Sequence, residues 1–181
     1  MKTIQISLVG LFLAIFTFNA FSQTQALTDS EKKSLLYLME EEKLARDVYS
    51  TLNEKWERNV FQNISGSEEH HLSMVRQMAE NNSIVLPSSI TENIRGEFVD
   101  PTLQQLYHEL TTKGGLSLVN ALEVGAKIEE LDISDLQASI SETDNTDLIQ
   151  LYSNLISASK RHLRAFTNNL KQQGIAYEPL I

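Results

Sequence analysis

The chain has 181 residues, no cysteine and a formal charge of −9. That length suits one principal domain, and the missing thiols exclude disulfides, thiolate metal sites and covalently attached haem. The acidic balance argues against nucleic acid and anionic membrane surfaces as partners, because both need a basic patch.

Residues 1–22 differ in kind from the rest. Lys2 opens them with a positive charge, Ile6 to Phe18 is nearly all apolar, and Ala20-Phe21-Ser22 offers small residues where a signal peptidase cuts. The run is short for a span of about 20 residues and no basic stop-transfer cluster follows. A cleaved secretory signal is therefore expected, with a secreted or periplasmic domain over 23–181 and no membrane contact after cleavage. Losing Lys2 and no acid takes the formal charge from −9 to −10.

From Thr28 or Asp29 the pattern turns helical, with Leu35, Leu38, Met39, Glu42, Ala45, Tyr49 and Leu52 at spacings of three and four. This first helix is expected to end between Asn53 and Trp56. Glu41 and Glu42 both fit the apolar stripe, and periodicity does not choose between them. A linker is expected over 57–63, then a second helix from Ile64 to Asn81. Within it Glu68 and His71 are three apart, one above the other on a face shared with Ile64, Leu72, Val75 and Met78. A carboxylate and an imidazole on a core-facing stripe need something to satisfy them, and a metal ion is one such partner.

Turn residues at 81–83 and 87–89 then break the rhythm. Asp100-Pro101 caps a short helix from Thr102 to Thr112, stopped by Gly114-Gly115. A third long helix is expected from Leu116 to Leu131, a separate helical turn over 134–140, and a fourth long helix from about Asp144 to Gly174. It carries His162 on a face with Leu155, Ala158 and Phe166, and Ser159 three residues before that histidine. The tail 175–181 should be extended and lie against the bundle. About 30 residues separate the second and third long helices, where tight helix hairpins use about 2–8, so this connection is a crossover. The expected fold is all-α: a ferritin-like four-helix bundle with a long crossover between helices two and three and extra short helices.

Four stretches carry a closer resemblance. They are Met39-Glu40-Glu41-Glu42-Lys43-Leu44-Ala45-Arg46-Asp47-Val48-Tyr49, Ser67-Glu68-Glu69-His70-His71, Ala121 to Ala126 with Ile128 to Ile133, and His162-Leu163-Arg164-Ala165-Phe166. Together they resemble the bacterial and archaeal ferritin-like family catalogued as domain of unknown function 2202, over about Leu27 to Pro179. Glu42-Lys43-Leu44-Ala45-Arg46 followed by Tyr49 also resembles the first metal helix of rubrerythrins, and that similarity selects Glu42 over Glu41. The resemblance implies metal ligands at Glu42, Glu68, His71, Glu123 and His162. It departs from a full two-metal pattern at Ser159, where a fourth-helix glutamate would stand. Water or Glu130 is the expected substitute, and a small helix rotation would exchange Glu130 with Glu129.

Oxygen and nitrogen ligands without sulfur suit iron or manganese, as one ion or a pair, ahead of zinc. The implied activity is that of a di-metal carboxylate oxidoreductase acting on dioxygen or peroxide, with an oligomer compatible. The competing expectation is a non-catalytic helical binding or structural module of the cell envelope that has lost a complete metal site. Hydrolysis by a nucleophilic serine has no support, since there is no Gly-x-Ser-x-Gly, and no glycine-rich phosphate loop occurs.

Overall fold

The computed structural model describes residues 26–179, and the signal expected over 1–22 lies outside them. Among the described residues all regular structure is helical: α1 (Asp29–Trp56), α2 (Asn59–Asn81), α3 (Ser88–Thr91), α4 (Pro101–Gly114), α5 (Leu118–Ser141) and α6 (Thr146–Gln172). None of these helices is long and apolar enough to cross a membrane.

Local chemistry sets most of the boundaries. Thr28 and Glu31 close a capping box on α1: Glu31 N–H donates to Thr28 Oγ1 at 3.2 Å, and Thr28 N–H donates to Glu31 Oε2 at 2.7 Å. The helix stops at Glu57, held in the left-handed conformation (φ 48°) with its N–H on the Asn53 carbonyl. The Asp100 carboxylate accepts from the Thr102 and Leu103 amides and starts α4 with Pro101 at its first position.

Two expected boundaries are corrected. The segment 57–63 is not a linker, because α2 begins at Asn59 after only Glu57 and Arg58. Arg58 offers no side-chain cap, so the start is invisible to capping rules; burial of Phe61, whose ring lies 5.7 Å from that of Phe166, holds the first turn. Likewise α5 does not end near Leu131 but runs on through the expected separate turn to Ser141. Weak helix formers at Asp132, Ser134 and Asp135 are overridden by the burial of Ile133 and Leu136 in the core.

α1 packs along α2 and α5 along α6, while α1 also meets α5 and α2 meets α6. One apolar cluster gathers Leu35, Leu38 and Met39 of α1, Val75 of α2, Leu136 of α5 and Leu151 of α6. The other gathers Val48 and Leu52, Phe61 and Ile64, Ala121 and Leu122, Phe166 and Leu170. α2 therefore ends at one end of the assembly and α5 begins at the other, and the 82–117 connection climbs the full length between them. Gly125 permits the closest helix approach: a Cβ there would lie 2.4 Å from the Phe166 ring.

Charged residues of α1 fasten the crossover. Glu40 accepts from the Ser89 hydroxyl, from Val99 N–H at 2.7 Å and from Asp100 N–H at 3.0 Å. Lys43, fully buried, donates to Asp47 at 2.7 Å and to the carbonyls of Ile94 and Glu97 at 2.8 and 3.1 Å, with Phe98 beneath its ammonium. Arg46 reaches Asp47, Asn93 and Glu69, and Asp47 accepts the Gly96 amide at 3.0 Å. Gly96 has φ 76° and lies over the Tyr107 ring, where a side chain would not fit.

Candidate metal centre

Between the two apolar clusters, at one depth on all four long helices, lies a polar layer. α2 contributes Glu68 and His71, brought onto one face by their three-residue spacing; Glu69 and His70 between them are exposed. α1 contributes Glu42. α5 contributes Glu129 and, one turn later, Asp132. α6 contributes His162 and, one turn before it, Ser159. Glu42, Glu68 and Glu129 each keep only 2% of their surface exposed, where an unneutralised carboxylate is costly.

Glu68 is the centre of the geometry. Its Oε2 lies 2.6 Å from His71 Nδ1, and its Oε1 lies 2.8 Å from His162 Nδ1. Glu42 Oε2 approaches His71 Nδ1 at 3.4 Å, and Glu129 Oε2 approaches His162 Nδ1 at 3.5 Å. The two imidazole rings stack with centroids 5.5 Å apart. Distance alone would make these ion pairs, but the alignment is not that of hydrogen bonds. Glu42 Oε1, Glu68 Oε1, His71 Nδ1 and His162 Nδ1 are all buried without a hydrogen-bond partner among the described residues. These are the atoms that ligate metals, and they fall into two triads: Glu42, Glu68 and His71, and Glu68, Glu129 and His162. Each triad has its ligand atoms within 4.8 Å of one another, and Glu68 belongs to both.

The surrounding groups are fixed in their turn. Tyr49, fully buried, donates its phenol to Glu129 Oε1 at 2.7 Å, leaving Oε2 toward His162. Ser159 donates to Asp132 Oδ2 at 2.5 Å, with the Leu155 carbonyl also within reach at 3.0 Å. Position 159 thus holds a carboxylate in the layer without supplying one, because the carboxylate arrives from α5.

Protonation follows from this crowding. Burial raises the Glu42 carboxyl well above its ordinary range, and burial with the neighbouring Glu68 charge takes Glu129 to about 8. Burial, opposed by the Ser159 hydroxyl, brings Asp132 to about 7. For Glu68 burial also disfavours charge, but the two histidines outweigh it and hold the carboxyl at about 2. Burial likewise opposes charge on the histidines, yet the carboxylates win and raise His71 to about 10 and His162 to about 9. Protons thus stand where a cation's charge would otherwise balance the acids.

The structure brings together four of the residues expected from sequence: Glu42, Glu68, His71 and His162. It does not bring Glu123, which is partly exposed and faces Lys113 Nζ at 3.6 Å. Glu130 is also outside the layer and accepts the Tyr177 phenol at 2.9 Å, so the tail lies against α5 as expected. Glu123 and Glu130 are two turns apart on one stripe, and Glu129 is rotated by one residue from it toward the centre. Sequence reasoning missed Glu129 as the principal acid of α5 and missed Asp132 altogether. The signal was present: Glu129-x-x-Asp132 repeats the three-residue spacing of Glu68-x-x-His71.

Residues 31–181 match the family described as uncharacterized protein domain DUF2202. The uncharacterized protein MJ0754 of Methanocaldococcus jannaschii is 43% identical over 155 residues, covering 86% of this chain and 83% of its own. The chain belongs to the DUF2202 family. The crystal structure of hypothetical protein MJ0754 from Methanococcus jannaschii agrees with this one at a TM-score of 0.83, over 86% of this chain and 87% of that one.

Proposed function

We propose that this is a ferritin-like protein whose four long helices hold two metal ions, iron or manganese ahead of zinc, on the layer around Glu68. One observation carries the reading: two buried triads of ligand residues share the Glu68 carboxylate, and four of their five residues each have a nitrogen or oxygen without a hydrogen-bond partner. Helical bundles that bind metal pairs use this donor set, with Glu-x-x-His on one helix and carboxylates from the others. Sulfur is absent, which favours harder ions. Residues 1–22 add secretion to the reading, on their sequence alone.

In this reading Glu42 and His71 would hold one ion and Glu129 and His162 the other, with Glu68 common to both groups. Asp132 supplies the carboxylate that the serine at 159 does not, and the Ser159 hydroxyl orients it. Tyr49 fixes which Glu129 oxygen faces inward and holds its own proton at that carboxylate. The histidines and the raised carboxyls would give up protons to cations bound there. Bound iron or manganese would supply electron-transfer chemistry toward dioxygen or peroxide.

The test is metal content of the full chain, purified without chelator or affinity tag, beside a Glu68→Ala, His71→Ala double variant. About one to two equivalents of iron or manganese are expected in the parent, and none in the variant. No metal in either, with the variant at least as stable as the parent, overturns the reading in favour of a non-catalytic helical module.

A further inference from the structure

A cavity of about 140 Å³ is lined from the surface to the polar layer. At its outer end are Tyr37 and Leu131, 41% and 42% exposed, and the exposed Asp135. Its middle is walled by the half-buried Glu41 and Asp132, and its inner end by Glu42, Glu68 and Glu129. The volume accommodates several water molecules, at roughly 10–15 Å³ of such space for each. All six ionisable side chains of the wall apart from Tyr37 are acids, and no lysine or arginine lines it.

Two features of this passage point to a cation. Glu41 on α1 and Asp135 on α5 both line its outer part, so two acids from different helices stand where solvent begins. At the inner end, Glu42 is 98% buried and its Oε1 has no hydrogen-bond partner. Oxygen donors thus continue from the rim to the metal layer: Asp135 and Glu41, then Asp132, then Glu42 and Glu68. Leu44, Ala45, Leu106, Ile128 and Leu131 complete the wall on its apolar side, while the six acids disfavour an anion. A hydrated divalent cation is attracted and can exchange its waters for carboxylate oxygens step by step.

We propose that Glu41 and Asp135 form an outer divalent-cation site through which metal ions pass to the Glu68 cluster. The inference rests on the reading of that cluster as a metal centre. It assigns Glu41 a function separate from that of Glu42 beside it: one residue receives the ion from solvent and the next holds it. The outer pair acts on the rate of loading, since the inner ligands determine how tightly the ion is finally held.

The test follows Co²⁺ uptake by the metal-free full chain in a stopped-flow instrument, using the visible absorbance of the bound ion. The parent is compared with a Glu41→Gln, Asp135→Asn variant, which keeps side-chain size. A Glu80→Gln, Glu92→Gln control removes two acids outside the cavity. The outer variant is expected to load about tenfold or more slowly, within the range seen for charge-lined clefts, while final stoichiometry and affinity stay within twofold of the parent. Raising ionic strength should slow the parent more than that variant. Thermal melts of both metal-free proteins check that slow loading does not come from unfolding, and a separate Asp135→Asn variant at the exposed rim should slow loading with an unchanged melt. Equal rates in parent and outer variant, or equal slowing in the control, overturn the proposed site while leaving the metal centre standing. Failure of the parent itself to bind Co²⁺ overturns the metal centre and this inference with it.

Discussion

In the crossover clamp every charged group has its partners: Lys43 makes three hydrogen bonds, Arg46 uses its Nε and both Nη atoms, and Glu40 and Asp47 accept on both oxygens. One residue away on the same helix, Glu42 enters an equally buried cluster in which four ligand atoms have no hydrogen-bond partner. Burial costs both sets the same kind of desolvation; the first recovers it through hydrogen bonds, the second only through the nearness of opposite charges. Complete satisfaction is what a structural network achieves. An incomplete one in the middle of a well-packed core points to a ligand.

The largest test of this contrast is Lys43→Met. Removing the clamp's cation leaves Asp47 short of a partner and the crossover carbonyls without a donor, and the metal-free protein should lose about 3–5 kcal/mol in urea denaturation. Glu42→Gln in the same metal-free state should leave stability within about 1 kcal/mol of the parent or raise it, because a costly buried acid is removed. Equal losses would mean that the two networks are alike.

Proton linkage comes next. Without metal, Glu41 at about 9, Glu129 at about 8, Asp132 at about 7, His71 at about 10 and His162 at about 9 all titrate above their ordinary values. The folded chain therefore binds more protons than the unfolded one from about pH 4 to 10, and metal-free stability should fall as pH rises through that window. Glu68, held at about 2, acts in the opposite sense, and its contribution is lost as pH falls below about 4.5. Each ion must displace protons from one histidine and one raised carboxyl, so its apparent affinity should rise about a hundredfold per pH unit near pH 7. Competition with a chromophoric chelator at two pH values measures this, and a flat response would remove the histidines from the ligand set.

Asp132→Asn probes the carboxylate that arrives from α5, and should weaken metal binding about 10- to 100-fold. Asp132→Ser combined with Ser159→Glu returns the acid to α6 and should recover most of that loss; no recovery would show that Asp132 is a packing residue. The smallest effect is expected at Tyr49→Phe, which removes one hydrogen bond to Glu129 and should cost about 1 kcal/mol by denaturation, with metal stoichiometry kept.

Much of this was legible from residues alone. Glu68, His71 and His162 stand out because each is polar within an apolar stripe, and the length of the crossover follows from turn residues at 81–83 and 87–89. The α5 contribution was not legible, for a physical reason. Val124, Gly125, Ala126 and Ile128 are buried nearly all round that helix, so its apolar pattern has no sharp phase and did not separate the Glu123 and Glu130 stripe from Glu129. Asp132 was lost because weak helix formers after Leu131 resemble a terminus, and only tertiary burial carries the helix past them. The roles of Glu40 and Lys43 were not legible either, since what buries them is a crossover distant in sequence.

From Glu42 to Tyr49 every residue of α1 is buried, whether it faces the metal layer, the apolar clusters or the crossover. An ordinary surface helix alternates between constrained and permissive positions every three or four residues. Here two full turns have no permissive side, so a saturation scan of the chain should find one unbroken block of intolerance at these positions, where α2 and α6 show stripes. The Glu42-Lys43-Leu44-Ala45-Arg46-Asp47 run reads as continuous text in the sequence because the rest of the molecule surrounds it.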